Sequence, residues 1–221
     1  MTGGAAEGPR RVGRPRADGL RPASGRPPRE ELLCAAAELF TLQGYAATTT
    51  RTVAERAGMR QATMYHYFRG KEELLAELLE STVLPSLVLA RRLLADAGRP
   101  AAQRLWELCR SDVMLLCGGP YDLGALYLLP EVAGSRFARF RRMRGELKDA
   151  YRALLAATPA GAELARDRAR LALRGDLVFG LVEGAVLVRR ADPGRPVAAF
   201  AEAAADAALR VAGVSGADGP P

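Results

Sequence analysis

The stretch Thr49-Thr50-Arg51-Thr52-Val53-Ala54-Glu55-Arg56-Ala57-Gly58-Met59-Arg60-Gln61-Ala62-Thr63-Met64-Tyr65-His66-Tyr67-Phe68 decides the fold. It reads as two short helices, about 50–56 and 61–68, joined by a tight turn at Ala57-Gly58. Thr49 is placed to cap the first helix with its hydroxyl. Gly58 can take the left-handed backbone conformation that the turn demands, at no Cβ cost. Ala54 and Ala57 are small enough for the two helices to cross closely. In the second helix Met64 and Phe68 stand four apart and point inward, while Gln61, Thr63, Tyr65 and His66 leave hydrogen-bonding groups outside. Two helices around such a turn, stacked on a preceding amphipathic helix, make a helix-turn-helix.

That preceding helix starts at Pro28–Glu30, with Pro28 tolerated in the first turn and Glu30 and Glu31 favoured there by the helix dipole. Its apolar stripe of Leu32, Leu33, Ala36, Leu39 and Phe40 ends at Gly44. A long amphipathic helix opens at Lys71, with Pro85 expected to kink it. Further helices are expected at 101–117, 121–129, 135–157, 161–190 and 196–212, punctuated by Gly118-Gly119-Pro120, Thr158-Pro159 and Asp192-Pro193-Gly194. β-branched runs and period-2 alternation are scarce. The fold class is therefore all-α: an N-terminal three-helix helix-turn-helix domain, 29–76, followed by a larger helical bundle, 77–213. Residues 1–28 read as a flexible basic arm and 214–221 as a loose tail.

A helix-turn-helix sets the N-terminal end of its second helix against base edges in the major groove and its flanks against phosphates. Arg60, Gln61 and Ala62 are the base-facing candidates: Arg can bridge guanine O6 and N7, Gln can pair with adenine, and the Ala methyl can meet a thymine methyl. Lys71 is placed to reach a backbone phosphate. The wider pattern, Phe40-x-x-x-Gly44-Tyr45-x-x-Thr48-Thr49-x-x-x-Val53-Ala54-x-x-Ala57-Gly58-Met59-x-x-Ala62-Thr63-Met64-Tyr65-His66-Tyr67-Phe68-x-x-Lys71-Glu72-x-Leu74, closely resembles the N-terminal domain of the TetR family of bacterial transcriptional regulators. By that resemblance Thr49, Thr63, Tyr65, His66 and Lys71 fall at positions that commonly touch phosphates. The sequence departs from the family at two places. Arg60 stands where Ser often opens the recognition helix, which removes a capping side chain, and Tyr67 stands where His is frequent.

Composition agrees with this reading. The chain has 221 residues, 49% apolar and 26% charged, enough to bury a core, with a net charge of +7. A basic balance suits a polyanionic partner without naming it. Residues 1–29 hold seven Arg against Glu7 and Asp18. Within them Gly13-Arg14-Pro15-Arg16 is extended, narrow and cationic, so Arg14 and Arg16 are candidates for a minor groove. A non-specifically attracted tail is the alternative. One His leaves no room for a multi-His metal centre, and no metal or cofactor is expected. The three Cys match no disulfide or zinc framework. No apolar run approaches a membrane span and the start lacks a secretory h-region, so a reducing cytoplasm is expected. An enzyme finds no support, since phosphate-cradling loops and nucleophile elbows are missing and the single His lies on the DNA-facing helix.

Beyond residue 77 the resemblance implies a ligand-binding and dimerisation domain and says little about the ligand. Trp106, Cys109, Met114, Tyr121, Tyr127, Phe137, Phe140 and Phe179 would suit a largely apolar small-molecule effector, with Glu183, Asp112 and Asp176 as polar anchors. Ordinary core packing explains the same residues, and both readings stay open. Leu177, Gly180, Leu181, Gly184 and Val188 form a stripe in which small residues four apart allow close helix approach, as in a homodimer interface; intrachain packing is the alternative. The basic 135–157 helix is a solvated face or the mouth of an anionic-ligand site. The expected function is a homodimeric, ligand-responsive regulator of double-stranded DNA. A repressor is expected from the family, released from a pseudo-palindromic operator by its effector. A cysteine redox-responsive regulator and an architectural DNA-binding protein are the alternatives.

Overall fold

The computed structural model describes residues 25–214. Arg14 and Arg16 lie outside the described residues, as does the tail from 215 onward. Nine α-helices follow in order among the described residues: α1 Pro28–Leu42, α2 Thr50–Arg56, α3 Gln61–Met64, α4 Lys71–Ala95, α5 Ala101–Cys117, α6 Ala138–Ala156, α7 Pro159–Leu164, α8 Arg168–Ala191 and α9 Val197–Ala212. Short 3₁₀ turns at Leu123–Leu128, Pro130–Ala133 and Ser135–Phe137 link α5 to α6. The described residues contain no strand, as the sequence led one to expect.

Local chemistry sets the boundaries. Thr49 and Thr52 form a reciprocal capping box: the Thr52 amide donates to Thr49 Oγ1 at 3.1 Å, and the Thr49 amide donates to Thr52 Oγ1 at 3.0 Å. Gly58 sits at φ +68°, and the Met59 amide closes the turn onto the Ala54 carbonyl at 2.8 Å. Thr158 and Asp167 cap α7 and α8 by accepting from the Gly161 and Arg170 amides.

Several expected helices come out differently. The second helix of the pair is α-helical only to Met64. Beyond it, amides bond three residues back (His66 to Thr63, Tyr67 to Met64), which tightens the chain into a turn. The expected 121–129 helix is 3₁₀, capped by Asp122 and stopped by Pro130. The expected 161–190 helix is broken at 165–167, where Asp167 adopts extended dihedrals to cap α8. Helix α4, by contrast, has Pro85 inside it as the sequence places it, exposed on the solvent side, where the missing amide leaves a Ser81 carbonyl that water can reach. Val214 is buried, its amide bonded to the Leu209 carbonyl beyond Gly213, whose φ of +82° ends α9.

Leu32, Phe40, Val53, Met64, Phe68 and Leu74 close a small core under α1–α3 and the start of α4. The core continues without interruption into the bundle of α4, α5, α6, α8 and α9 through Leu79, Leu93, Leu105, Leu108, Tyr151 and Val182. Each such side chain contributes roughly 1.5–3 kcal/mol when fully buried. The basic residues of α6 and of the 3₁₀ turn before it are largely answered across helix seams. Arg136 and Arg139 pair with Glu73 and Glu80 of α4, while Arg144, Lys148 and Arg152 pair with Glu183 and Asp176 of α8.

Candidate functional site

Helices α2 and α3 present one polar face. Arg60, Gln61, Ala62, Tyr65 and His66 are exposed, Thr63 is half-buried, and Thr49 is exposed beside them. Met64 and Phe68 point inward, 0% and 1% exposed, and anchor that face to the core. Arg60 precedes α3 in an extended conformation and its side chain makes no capping bond, so its guanidinium is left for other partners. Gln61 is held rather than free: its Nε2 donates to Thr50 Oγ1 at 3.0 Å and lies 3.4 Å from the Tyr65 hydroxyl, itself 3.2 Å from Thr50 Oγ1. Thr50 thus orients the first residue of α3 from the first residue of α2. No sequence period links positions eleven apart on different helices, so the sequence carries no signal of it.

Lys71, the expected phosphate contact, is engaged within its own domain. Its Nζ donates to the Tyr45 and Thr48 carbonyls at 3.1 and 3.3 Å, approaches the Ala46 carbonyl at 3.5 Å, and lies 4.4 Å from the centre of the Tyr45 ring. The ammonium therefore caps the loop that delivers Thr49 to α2, since carbonyl oxygens and an aromatic face both favour a cation.

Glu38 of α1 joins the face to the bundle. Its carboxylate pairs with Arg56 at the end of α2, 2.6 Å from Nη2, and accepts from the Tyr121 hydroxyl. Arg56 first, and Tyr121 second, hold the Glu38 carboxyl below the usual carboxylate range.

Two cavities of the bundle concern the ligand candidates. The larger, about 570 Å³, is bordered by the 3₁₀ segments, α6 and α8, and includes Tyr127, Phe140 and Glu183 among its lining residues. The smaller, about 330 Å³, lies where α5 ends near the end of α8 and includes Tyr121, Cys117 and Arg189. The other ligand candidates line neither. Trp106 donates to Asp206 of α9 at 2.8 Å, while Phe179 stacks edge-on with Tyr151 under the Arg144 guanidinium. Cys109 and Phe137 are buried core, and Met114 is packed partly buried against it. Of the polar anchors, Asp176 is held by Lys148 and Arg152, and Asp112 is buried, accepting from Ser86 and Tyr151 at 2.6 and 3.0 Å. The cysteines are free thiols; burial pushes Cys109 far above the ordinary thiol range and Cys117 up to about 11, which suppresses the reactive thiolate. Along α8, Leu173, Leu177, Gly180, Leu187 and Val188 are exposed in one stripe, with Gly184 half-buried within it. Among the described residues no cluster of metal-ligating side chains occurs, and no helix is long and apolar enough to cross a membrane.

Comparison with known proteins follows the same division. Residues 32–78 match the family described as bacterial regulatory proteins, tetR family. The HTH-type transcriptional repressor KstR2 of Mycobacterium tuberculosis is 47% identical over 80 residues, 36% of this chain and 40% of that protein. Against the KstR2 repressors of M. tuberculosis and Mycolicibacterium smegmatis, the aligned part spans only 40% and 25% of the relative's length. The crystal structure of Mycobacterium smegmatis AmtR is 43% identical, covering 89% of this chain and 91% of that one with a TM-score of 0.78. A SmeT–triclosan complex shares the fold at 20% identity and a TM-score of 0.64, over 88% and 98% of the two chains. The capped, glycine-hinged helix pair, its match to the family over 32–78 and the similarity along almost the whole chain together place this protein in the TetR family of bacterial regulatory proteins.

Proposed function

We propose that the protein is a homodimeric repressor that binds a pseudo-palindromic operator and is released by a small-molecule effector held in the helical bundle. The observation that carries this reading is the exposed α2–α3 face, where Arg60, Gln61 and Ala62 stand at the groove-entering end and Thr49, Thr63, Tyr65 and His66 flank it. Arg60 and Gln61 read bases and the flanking hydroxyls and imidazole meet phosphates. Arg14 and Arg16 add a cationic arm reaching the adjacent minor groove.

Residues 29–76 serve as the DNA-binding unit and 77–213 as the effector and dimerisation unit. The α8 stripe supports pairing of two copies: Leu177 and Val188 are 56% and 58% exposed, and Gly180 has open space above its Cα. A contiguous apolar face of this kind is covered by a partner in stable proteins, and a two-fold axis sets two α3 helices about one DNA turn apart. The larger cavity supports the effector site, its volume and mixed lining being those of small-molecule pockets. The fold relative SmeT is described as a complex with triclosan.

The test is selection of duplexes from a random library by the full-length protein, followed by fluorescence anisotropy. The expected result is an inverted-repeat consensus bound at least about a thousandfold more tightly than random DNA. No preference over random duplex would overturn the reading.

A further inference from the structure

The larger cavity carries a charge signature that the proposed function does not use. Its wall is apolar where Leu128, Leu129, Val132 and Phe140 meet, and its charged lining consists of Arg141, Arg144 and Glu183. Glu183 is already answered, since Arg144 grips both of its carboxylate oxygens. Two guanidiniums against one carboxylate leave one positive charge, and it belongs to Arg141. That side chain stands one turn before Arg144 on α6 and shares its Nη1 between the Val132 and Gly134 carbonyls at 2.6 and 2.7 Å. Carbonyls fix the guanidinium at the cavity rim without neutralising it. Leu128, 82% exposed, leaves an apolar surface beside it for a ligand to cover.

The geometry points to a monoanionic amphiphile as the occupant: a carboxylate head received by Arg141 and Arg144, with an apolar body laid against Leu128, Leu129 and Phe140. This assignment rests on the effector-site reading of the same cavity. A cationic head would meet two guanidiniums and a carboxylate with both oxygens engaged. A neutral head would cover the Arg141 charge without pairing it, which is costly. A planar guanidinium suits a carboxylate in particular, because its parallel N–H groups match the two oxygens.

The test uses the full-length protein and the neutral fluorophore 1-N-phenylnaphthylamine, competed by octanoate, octan-1-ol and octylamine. Octanoate is expected to displace the fluorophore at a concentration at least about tenfold below octan-1-ol, with octylamine weakest. Arg141→Met should abolish that advantage while the fluorophore still binds, and Arg141→Glu should turn the preference toward octylamine. Glu183→Gln, which adds net positive charge, should tighten octanoate a few-fold. Equal displacement by octanoate and octan-1-ol, or an advantage that survives Arg141→Met, overturns the anionic assignment while leaving the cavity a binding site. Ala133→Trp, which fills the mouth, should block fluorophore binding. If the fluorophore fails to bind the unaltered protein, or binds Ala133→Trp equally well, the effector-site reading falls and the assignment with it.

Discussion

The Tyr121 hydroxyl donates a hydrogen bond of 2.9 Å to Glu38, the carboxylate that also grips Arg56. Three separate parts of the chain meet at that side chain: α1, the end of α2, and the loop after α5 that borders the smaller cavity. Anything that moves Tyr121 changes the support of the helix on which the DNA-facing pair is built.

We therefore expect the two ends of this link to be separable. Glu38→Gln leaves Arg56 without its ion pair and should weaken operator binding several-fold. Tyr121→Phe keeps the Glu38–Arg56 pair and should leave operator affinity within about twofold, while changing the effector concentration needed for release. Anisotropy titrations of both variants, with and without effector, distinguish them. Equal loss of basal binding in both would refute the separation.

Lys71 offers a test of placement against phosphate contact. With its ammonium on the Tyr45 and Thr48 carbonyls, Lys71→Met should lower stability by about 1–2 kcal/mol and weaken operator binding through the displaced Thr49 loop. The slope of log affinity against log salt should stay unchanged. A slope reduced by about one would instead place the ammonium on a phosphate in the complex.

Asp112 gives a pH signature. Burial raises its carboxyl from 3.8 to about 6, and the bonds from Ser86 and Tyr151 only partly offset this. Between about pH 4 and 6 the folded chain therefore holds a proton there that the unfolded chain has released. The resulting stabilisation is full below pH 4, is lost as pH rises through 6, and amounts to roughly 3 kcal/mol. Asp112→Asn, which carries no charge, should raise the melting temperature at pH 8 and flatten its fall between pH 4 and 6. Melting curves from pH 4 to 8 that run parallel for the two proteins would contradict this.

The α8 stripe predicts its own disruption. Leu177→Glu places a charge in the proposed contact between copies without touching the core, because that side chain is exposed. Light scattering after gel filtration should show a monomer with unchanged helix content, and operator affinity should fall more than about tenfold as one half-site is lost. A persistent dimer would move the interface elsewhere.

The DNA-facing pair was legible because its determinants are local. Thr49 needs only Thr52 three residues on, Gly58 needs only its own φ, and Met64 and Phe68 share a face by helical period alone. The existence of the long helices followed equally well from apolar spacing. The lengths of the recognition helix and of the 121–129 and 161–190 segments did not, because short-range caps and 3₁₀ bonds override periodicity there.

Sequence by itself determined the helical class, the capped and hinged pair, and which side chains of its second helix turn inward. Only the tertiary structure decided that Lys71 turns onto backbone carbonyls, that Thr50 orients Gln61, that Glu38 gathers Arg56 and Tyr121, and that Arg141 is left charged at a cavity rim. Those relations join residues on different helices, and the distance between such residues is set by how apolar faces pack, not by any period along the chain.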